Sequence, residues 1–283
     1  MVTPRTLLVE NKKSVDDEYF VALFKRLLFE MLQDKDIDLF NNMDKQLDED
    51  FVKKYQNNKQ RLHNHEPLGH VLGYEWFYGL KLKVNQDVLI PRNETEELCG
   101  NVSADIFDYF DENVDVVDIA TGSGALACAI KSDFPNAHVV ACDISEKAID
   151  IAKENALAHQ LDITFLVGDM AQPLIEKQLK FDVVMCNPPY IKNDEEIESS
   201  VKDFEPHVAL FGGDDGLDLY RKVLDQVPFI IKEKALVAFE IGYDQKQALL
   251  KEINDRFKDV TIICKQDVNN KDRMIFIYFN ITP

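Results

Sequence analysis

The spacing of apolar positions changes part-way along the chain. In the first part they recur at helical intervals. Phe20, Leu23, Phe24, Leu27 and Met31 share one face of a stretch over 16–33, and Phe51 and Tyr55 do the same from about Leu47 to Leu62. Asp16 and Asp17 open the first stretch, where carboxylates suit the helix dipole. Helices with one apolar face must cover one another, so the pattern predicts a small helical bundle with its aromatic stripe in the core. Alternation then takes over from Leu72 to Val84 and from Val88 to Ile90. With the polar run Asn85-Gln86-Asp87 between them, these segments predict a short hairpin, and Glu94-Thr95-Glu96-Glu97 opens a helix after Pro91.

From Val114 onward the pattern is strand, turn and helix in repetition. Predicted strands are 114–119, 138–142, 163–167, 181–186, 235–241, 260–264 and 274–279; predicted helices are 125–132, 146–158, 216–232 and 245–257. Strands alternating with helices imply an α/β fold, a mostly parallel sheet covered on both faces. The polar turn at 267–273 joins the last two strands directly, so the sheet ends in an antiparallel hairpin. The expected organisation is a helical bundle over 1–70, a hairpin connector over 71–98 and a larger α/β domain over 99–283.

Composition narrows the class. The 283 residues are 46% hydrophobic and 29% charged, as in a globular protein with a large core. No apolar run would span a bilayer, and Met1-Val2-Thr3-Pro4-Arg5 lacks the apolar core of a secretory signal. The five cysteines (Cys99, Cys128, Cys142, Cys186, Cys264) form no CxxC pair, and His63, His65 and His70 stand without nearby ligand partners. The expectation is a cytoplasmic protein with inert thiols and no metal. The net charge of −19 is uneven: residues 1–85 carry 13 basic and 14 acidic side chains, the remainder 19 and 37. An acidic second part disfavours direct nucleic-acid binding and suits a cationic ligand or a basic partner.

Two stretches carry candidate chemistry. The buried-strand run Phe181–Cys186 ends in Asn187-Pro188-Pro189-Tyr190. Two prolines forbid both ladder continuation and an ordinary helix interior, so Asn187 is fixed at the strand's carboxyl end, where open α/β sheets bind ligands. A rigid amide with an aromatic ring nearby suits a flat, nitrogen-bearing group. The second stretch, Val116 through Ala125, runs from a strand into the turn Ala120-Thr121-Gly122-Ser123-Gly124. Asp143 ends the next strand about twenty residues on, where a carboxylate can accept from ribose hydroxyls. No Lys follows the glycines, and Ala127 fits the third dinucleotide position only loosely. Asp118, Asp143 and Asp169 at strand ends suit a cofactor bearing positive charge, and S-adenosyl-L-methionine fits better than an anionic phosphate. Each of these Asp residues could instead cap a helix or turn.

These residues match a known pattern. Asp118-Ile-Ala-Thr-Gly-Ser-Gly, Asp143, Gly168-Asp169 and Asn187-Pro-Pro-Tyr resemble the motifs of class I S-adenosylmethionine-dependent methyltransferases acting on planar nitrogen. Leu89-Ile-Pro-Arg-Asn-Glu-Thr-Glu, the run from Phe204-Glu-Pro-His to Asp215-Gly-Leu, and Tyr220-Arg221 look like the release-factor glutamine methyltransferases. The resemblance implies a Rossmann-like class I sheet. It implies methyl transfer to the glutamine side-chain amide in the Gly-Gly-Gln loop of class-one peptide-chain release factors, with S-adenosyl-L-homocysteine as product. By that likeness Ala120 to Gly124 line the methionine part of the cofactor, Asp143 holds the ribose, and Asp169 and Met170 border the adenine. Asn187, Pro188, Pro189 and Tyr190 hold the glutamine, and the helical bundle helps dock the release factor; apart from the likeness, a monomer is the default expectation.

Two positions depart from the family pattern: Ala120 stands where glycine is usual, and Asn93 where proline is usual. An alanine at 120 is tolerated if its φ stays negative. The tetrapeptide is also found in enzymes that methylate amino groups of nucleic-acid bases, so a base methyltransferase is the main alternative. A non-catalytic S-adenosylmethionine-binding module is the other.

Overall fold

The computed structural model describes residues 1–14 and 17–283. They fall into two compact units, Met1–Tyr74 with Glu198–Phe204, and Glu75–Ile197 with Glu205–Pro283. The first unit holds α1 (Pro4–Ser14), α2 (Glu18–Gln33), α3 (Glu49–His63) and α4 (Leu68–Leu72). Asp17 caps α2 by accepting the Tyr19 N–H at 2.8 Å, and Asp48 caps α3 by accepting that of Phe51 at 2.6 Å; Asp16 lies outside the described residues. Phe24, Leu27, Met31, Phe51 and Tyr55 meet in one core with Leu7 of α1. The Tyr55 hydroxyl accepts from Asn11 Nδ2 at 2.7 Å and donates to the Phe24 carbonyl at 3.2 Å, so its burial leaves no unmet polar group. Helices α1 and α4 are additional to the expected pair. α1 begins with a proline behind Thr3, a start signal that its mostly polar sequence obscures. α4 has only five residues, too few for periodicity to register.

The second unit begins with a hairpin, β1 (Tyr74–Phe77) and β2 (Leu80–Lys83). Its turn is Tyr78-Gly79, both at positive φ (50° and 79°), the twist that a two-residue hairpin needs. The turn expected at Asn85–Asp87 is therefore misplaced. There the Asp87 N–H bonds to the Asn85 side chain at 2.9 Å in a local turn, and the following residues form no strand. The chain continues through α5 (Asn93–Tyr109), β3 (Asp115–Ile119), α6 (Ala125–Asp133), β4 (His138–Asp143), α7 (Glu146–Ala158), β5 (Ile163–Val167), α8 (Gln172–Glu176) and β6 (Phe181–Cys186). After α9 (Ser199–Lys202) come α10 (Asp218–Ile230), β7 (Ile231–Glu240), α11 (Lys246–Arg256), β8 (Val260–Gln266) and β9 (Asp272–Phe279).

The seven strands run in the order β5-β4-β3-β6-β7-β9-β8. All pairs are parallel except those made by β9, which is antiparallel to β7 and β8. The expected α/β architecture is borne out, closing hairpin included. Alternate residues of each central strand enter opposite cores: Val116, Val183, Met185 and Leu236 pack with α5 and α6, while Val117, Val184 and Val237 pack with α10 and α11. Most boundaries shift by a residue or two, and the largest shift is at the junction of α10 and β7. The helix expected to reach Lys232 ends at Ile230, and Lys232 belongs to β7, where its ammonium lies 2.7 Å from Asp182 on the adjacent β6 and 2.5 Å from Asp115 on β3 beyond it. Among the described residues no helix is long and apolar enough to cross a membrane.

Candidate active site

Register alone brings the two candidate motifs together. Ile119 of β3 lies opposite Cys186 of β6 and Cys142 of β4. The next residues therefore lie side by side at the sheet's carboxyl edge, Ala120 and Asn187 just past their strands and Asp143 as the last residue of β4. The chain lays β4 and β5 on one side of β3 and β6 on the other, so this is also the sheet's switch point.

The turn after β3 is held from below and from the side. Asp118 is 1% exposed, and its Oδ2 accepts from Thr121 Oγ1 at 2.5 Å and from the Ala127 N–H at 3.2 Å. Burial pushes its carboxyl up to about 7, with the two donors opposing. Ala120 has φ +59°, in the left-handed region, so the condition of a negative φ under which alanine is readily tolerated there is not met. The chain must fold back at once to place the Thr121 N–H on the Cys142 carbonyl at 3.0 Å, and alanine tolerates this at a cost of about 1 kcal/mol. Gly124, at φ +81°, lets α6 start against α7: an added Cβ would lie 3.0 Å from the Ala152 methyl. Asp143 joins turn and helix, accepting from the Gly122 N–H and the Ser145 N–H at 2.9 Å each. Burial raises its pKa, with those donations opposing.

Above this edge lies a cleft. Ala120, Gly122, Asp143, Met170, Asn187 and Pro189 line it. Asp118, Thr121, Ser123, Gly124, Asp169, Pro188 and Tyr190 are not among the lining residues. Thr121, Ser123 and Gly124 are buried within the turn. Asp169 is ion-paired with Lys222. Sequence reasoning missed two further walls. Asp87, Val88 and Leu89 form one, because Val84, Val88 and Ile90 pack on Ala148 and Ile151 of α7. Pro206, Val208 and Ala209 form the other, beside the buried Glu205, which accepts from the Ile90 N–H at 3.0 Å and pairs with Arg92. The Ile-Pro-Arg and Glu-Pro segments thus hold each other across the cleft, a link that their separation in sequence hides. Ile144 and Val208 expose apolar surface there (53% and 57%). An apolar slot beside the Asp143 carboxylate, with Asp87 at its other wall, suits the flat base and ribose of an adenosine.

The tetrapeptide is rigid for reasons beyond its prolines. The Tyr190 carbonyl accepts from Gln245 Nε2 at 2.9 Å, and Ile191 exchanges backbone hydrogen bonds with Leu210 and Gly212 at 3.0 and 2.8 Å. Gly212 is required there, since an added Cβ would lie 2.4 Å from the Pro189 carbonyl oxygen. Asn187 Nδ2 donates to Thr95 Oγ1 at 3.1 Å, and Thr95 Oγ1 donates to Glu240 Oε2 at 2.6 Å. Glu240 Oε1 accepts from the Tyr190 hydroxyl at 3.4 Å. Burial pushes the Glu240 carboxyl up to about 7, opposed by Thr95 and the Arg273 cation. Neither Thr95 nor Glu240 is marked in sequence as more than a helix residue and a strand end.

Residues 102–205 match the family described as Methyltransferase small domain. A release factor glutamine methyltransferase from Bacillus cereus is 40% identical over 244 residues, 84% of this chain and 85% of that protein. One from Flavobacterium psychrophilum is 35% identical over 97% of this chain and 98% of that protein. Among solved structures, a methyltransferase from Pyrococcus furiosus superposes with a TM-score of 0.51 at 15% identity, covering 80% of this chain and 100% of that one, a likeness of fold. Identity at that level, along nearly the whole length of both chains, means that this protein is a methyltransferase and belongs to the release factor glutamine methyltransferase family.

Proposed function

We propose that the protein methylates the side-chain amide nitrogen of the glutamine in the Gly-Gly-Gln loop of class-one peptide-chain release factors. The observation that carries this reading is the register placing Asn187 beside Ala120 and Asp143 on one cleft, in a chain whose relatives bear that name.

S-adenosyl-L-methionine fits the residues of the cleft. Asp143 would accept from the ribose hydroxyls, Ile144 and Met170 would flank the adenine, and Ala120 to Gly122 would border the methionine end. Bound there, it supplies an electrophilic methyl group on a sulfonium and leaves as S-adenosyl-L-homocysteine. An amide nitrogen is a poor nucleophile, because its lone pair is delocalised into the carbonyl. Asn187 Oδ1 and the Pro188 carbonyl accept the two N–H bonds of the glutamine amide, which orients its nitrogen toward the cofactor end of the cleft. Pro188 has no N–H of its own to compete. Tyr190, its backbone clamped by Gln245, stiffens the far end of the motif. Rate enhancement comes from orientation and fixed dipoles, in a cleft walled by Leu89 and Val208. The helical unit contributes to docking the release factor.

Incubation with S-adenosylmethionine and a release factor, followed by mass spectrometry of the Gly-Gly-Gln peptide, tests the reading. One added methyl on the glutamine is expected. Labelled methyl found only in tRNA, rRNA or DNA would refute it.

A further inference from the structure

Glu240 is 2% exposed, stands at the end of β7, and makes no contact assigned above to cofactor or substrate. It nevertheless touches both ends of the catalytic tetrapeptide: Asn187 through the Thr95 hydroxyl, and Tyr190 directly. Its backbone carbonyl accepts from the Tyr220 hydroxyl at 2.7 Å, so the carboxylate sits on a fixed support.

The chemistry of this relay determines which way Asn187 faces. A carboxylate only accepts hydrogen bonds, and a threonine hydroxyl has a single proton to give. With that proton on Glu240 at 2.6 Å, the remaining lone pairs of Thr95 Oγ1 can be met only by a donor. Asn187 must therefore present Nδ2 to Thr95, as it does at 3.1 Å, leaving Oδ1 as the end that remains for the cleft. Without the relay Nδ2 loses the acceptor that holds it, so the amide shifts and can reverse, and the reversed amide would offer N–H groups to a substrate whose own N–H groups need an acceptor. We propose that Glu240 and Thr95 are positioning residues that lock the Asn187 amide with its oxygen toward the cleft, so that the site selects an N–H-bearing methyl acceptor. This rests on the glutamine reading above.

Removing the lock should act on turnover and spare the cofactor, because neither residue lines the cleft. Thr95→Val keeps shape and deletes the hydroxyl. Glu240→Gln lets an N–H face Thr95, turning that hydroxyl into a donor toward Asn187 Oδ1. Assayed at about pH 8.5, where the Glu240 carboxylate prevails, Thr95→Val should lower kcat by about 10²-fold. Glu240→Gln should lower it by only about twofold, since one of its two amide orientations preserves the relay. For both, S-adenosylmethionine affinity by calorimetry should stay within about twofold. Thr95→Ser, which keeps the hydroxyl, should recover most of the turnover lost in Thr95→Val.

Wild-type kcat in Thr95→Val would overturn the proposal, and so would a loss that Thr95→Ser shares in full or that cofactor affinity follows in proportion. A wild-type enzyme that leaves the release-factor glutamine unmethylated would instead overturn the glutamine reading, and the acceptor selection with it.

Discussion

Replacing Asp118 with Asn changes a single atom of a fully buried carboxyl group and preserves the oxygen that holds the turn after β3. Burial pushes this carboxyl up to about 7 from the ordinary 3.8. The native state therefore binds the proton more tightly than the unfolded chain. Its stability is greatest below the unfolded pKa and falls as pH rises through the folded one. Each unit corresponds to about 1.4 kcal/mol, so between about pH 5 and pH 8 the wild type should lose about 3 kcal/mol through Asp118 alone. Asn cannot ionise. Burying its Nδ2 costs a fixed amount, about 1–3 kcal/mol, that does not change with pH. The variant-minus-wild-type difference in unfolding free energy should therefore move about 3 kcal/mol in the variant's favour over that range, whatever its value at pH 5. The remaining titrating groups are common to both proteins and cancel. Urea unfolding without cofactor measures this, followed by the fluorescence of Trp76, the single tryptophan, which lies in the same unit as Asp118. A difference flat to about 0.5 kcal/mol would mean that Asp118 stays ionised throughout, and that Thr121 and Ala127 outweigh its burial.

Three further substitutions separate the parts of the site. Asn187→Ala removes the side-chain acceptor and should lower kcat by about 10²–10³-fold, with S-adenosylmethionine affinity by calorimetry little changed. Asp143→Ala removes the carboxylate that joins Gly122 to Ser145; it should weaken cofactor binding by about 10–100-fold, the worth of hydrogen bonds to a charged group, and lower the melting temperature as well. Gly212→Ala drives a methyl to 2.4 Å from the Pro189 carbonyl oxygen, a backbone atom that cannot turn aside. It should cost about 1–3 kcal/mol of stability by urea titration and reduce methyl transfer more than cofactor affinity.

How much of this was legible in the sequence varied with the range of the interaction. The inner strands could be read because a strand buried on both faces is a largely apolar run, while the edge strands β5 and β8, with no buried residue, were read from short apolar runs alone. The turn at Tyr78-Gly79 was passed over in favour of Asn85–Asp87, because both stretches look like turns until pairing partners are known. Nothing in the sequence fixes the φ of Ala120, and a negative value would suit the residue type. The fold places it at +59° because its neighbour's N–H must reach the Cys142 carbonyl on the next strand. Among the Asp residues the sequence set side by side, only Asp143 lines the cleft; Asp118 holds the turn and Asp169 pairs with Lys222.

By itself the sequence determined the fold class, the order of the elements and the motif at the end of β6, since periodicity and proline act on neighbours along the chain. Only the tertiary structure decided that Ile90 and Arg92 meet Glu205 across the cleft. Only it decided that Gly212 makes room for Pro189, and that Asn187 Nδ2 meets Thr95, which in turn bonds Glu240. Each of these joins residues that only strand register and helix packing bring within hydrogen-bonding or van der Waals reach. A contact that depends on the packed sheet leaves no periodic trace in the chain that makes it.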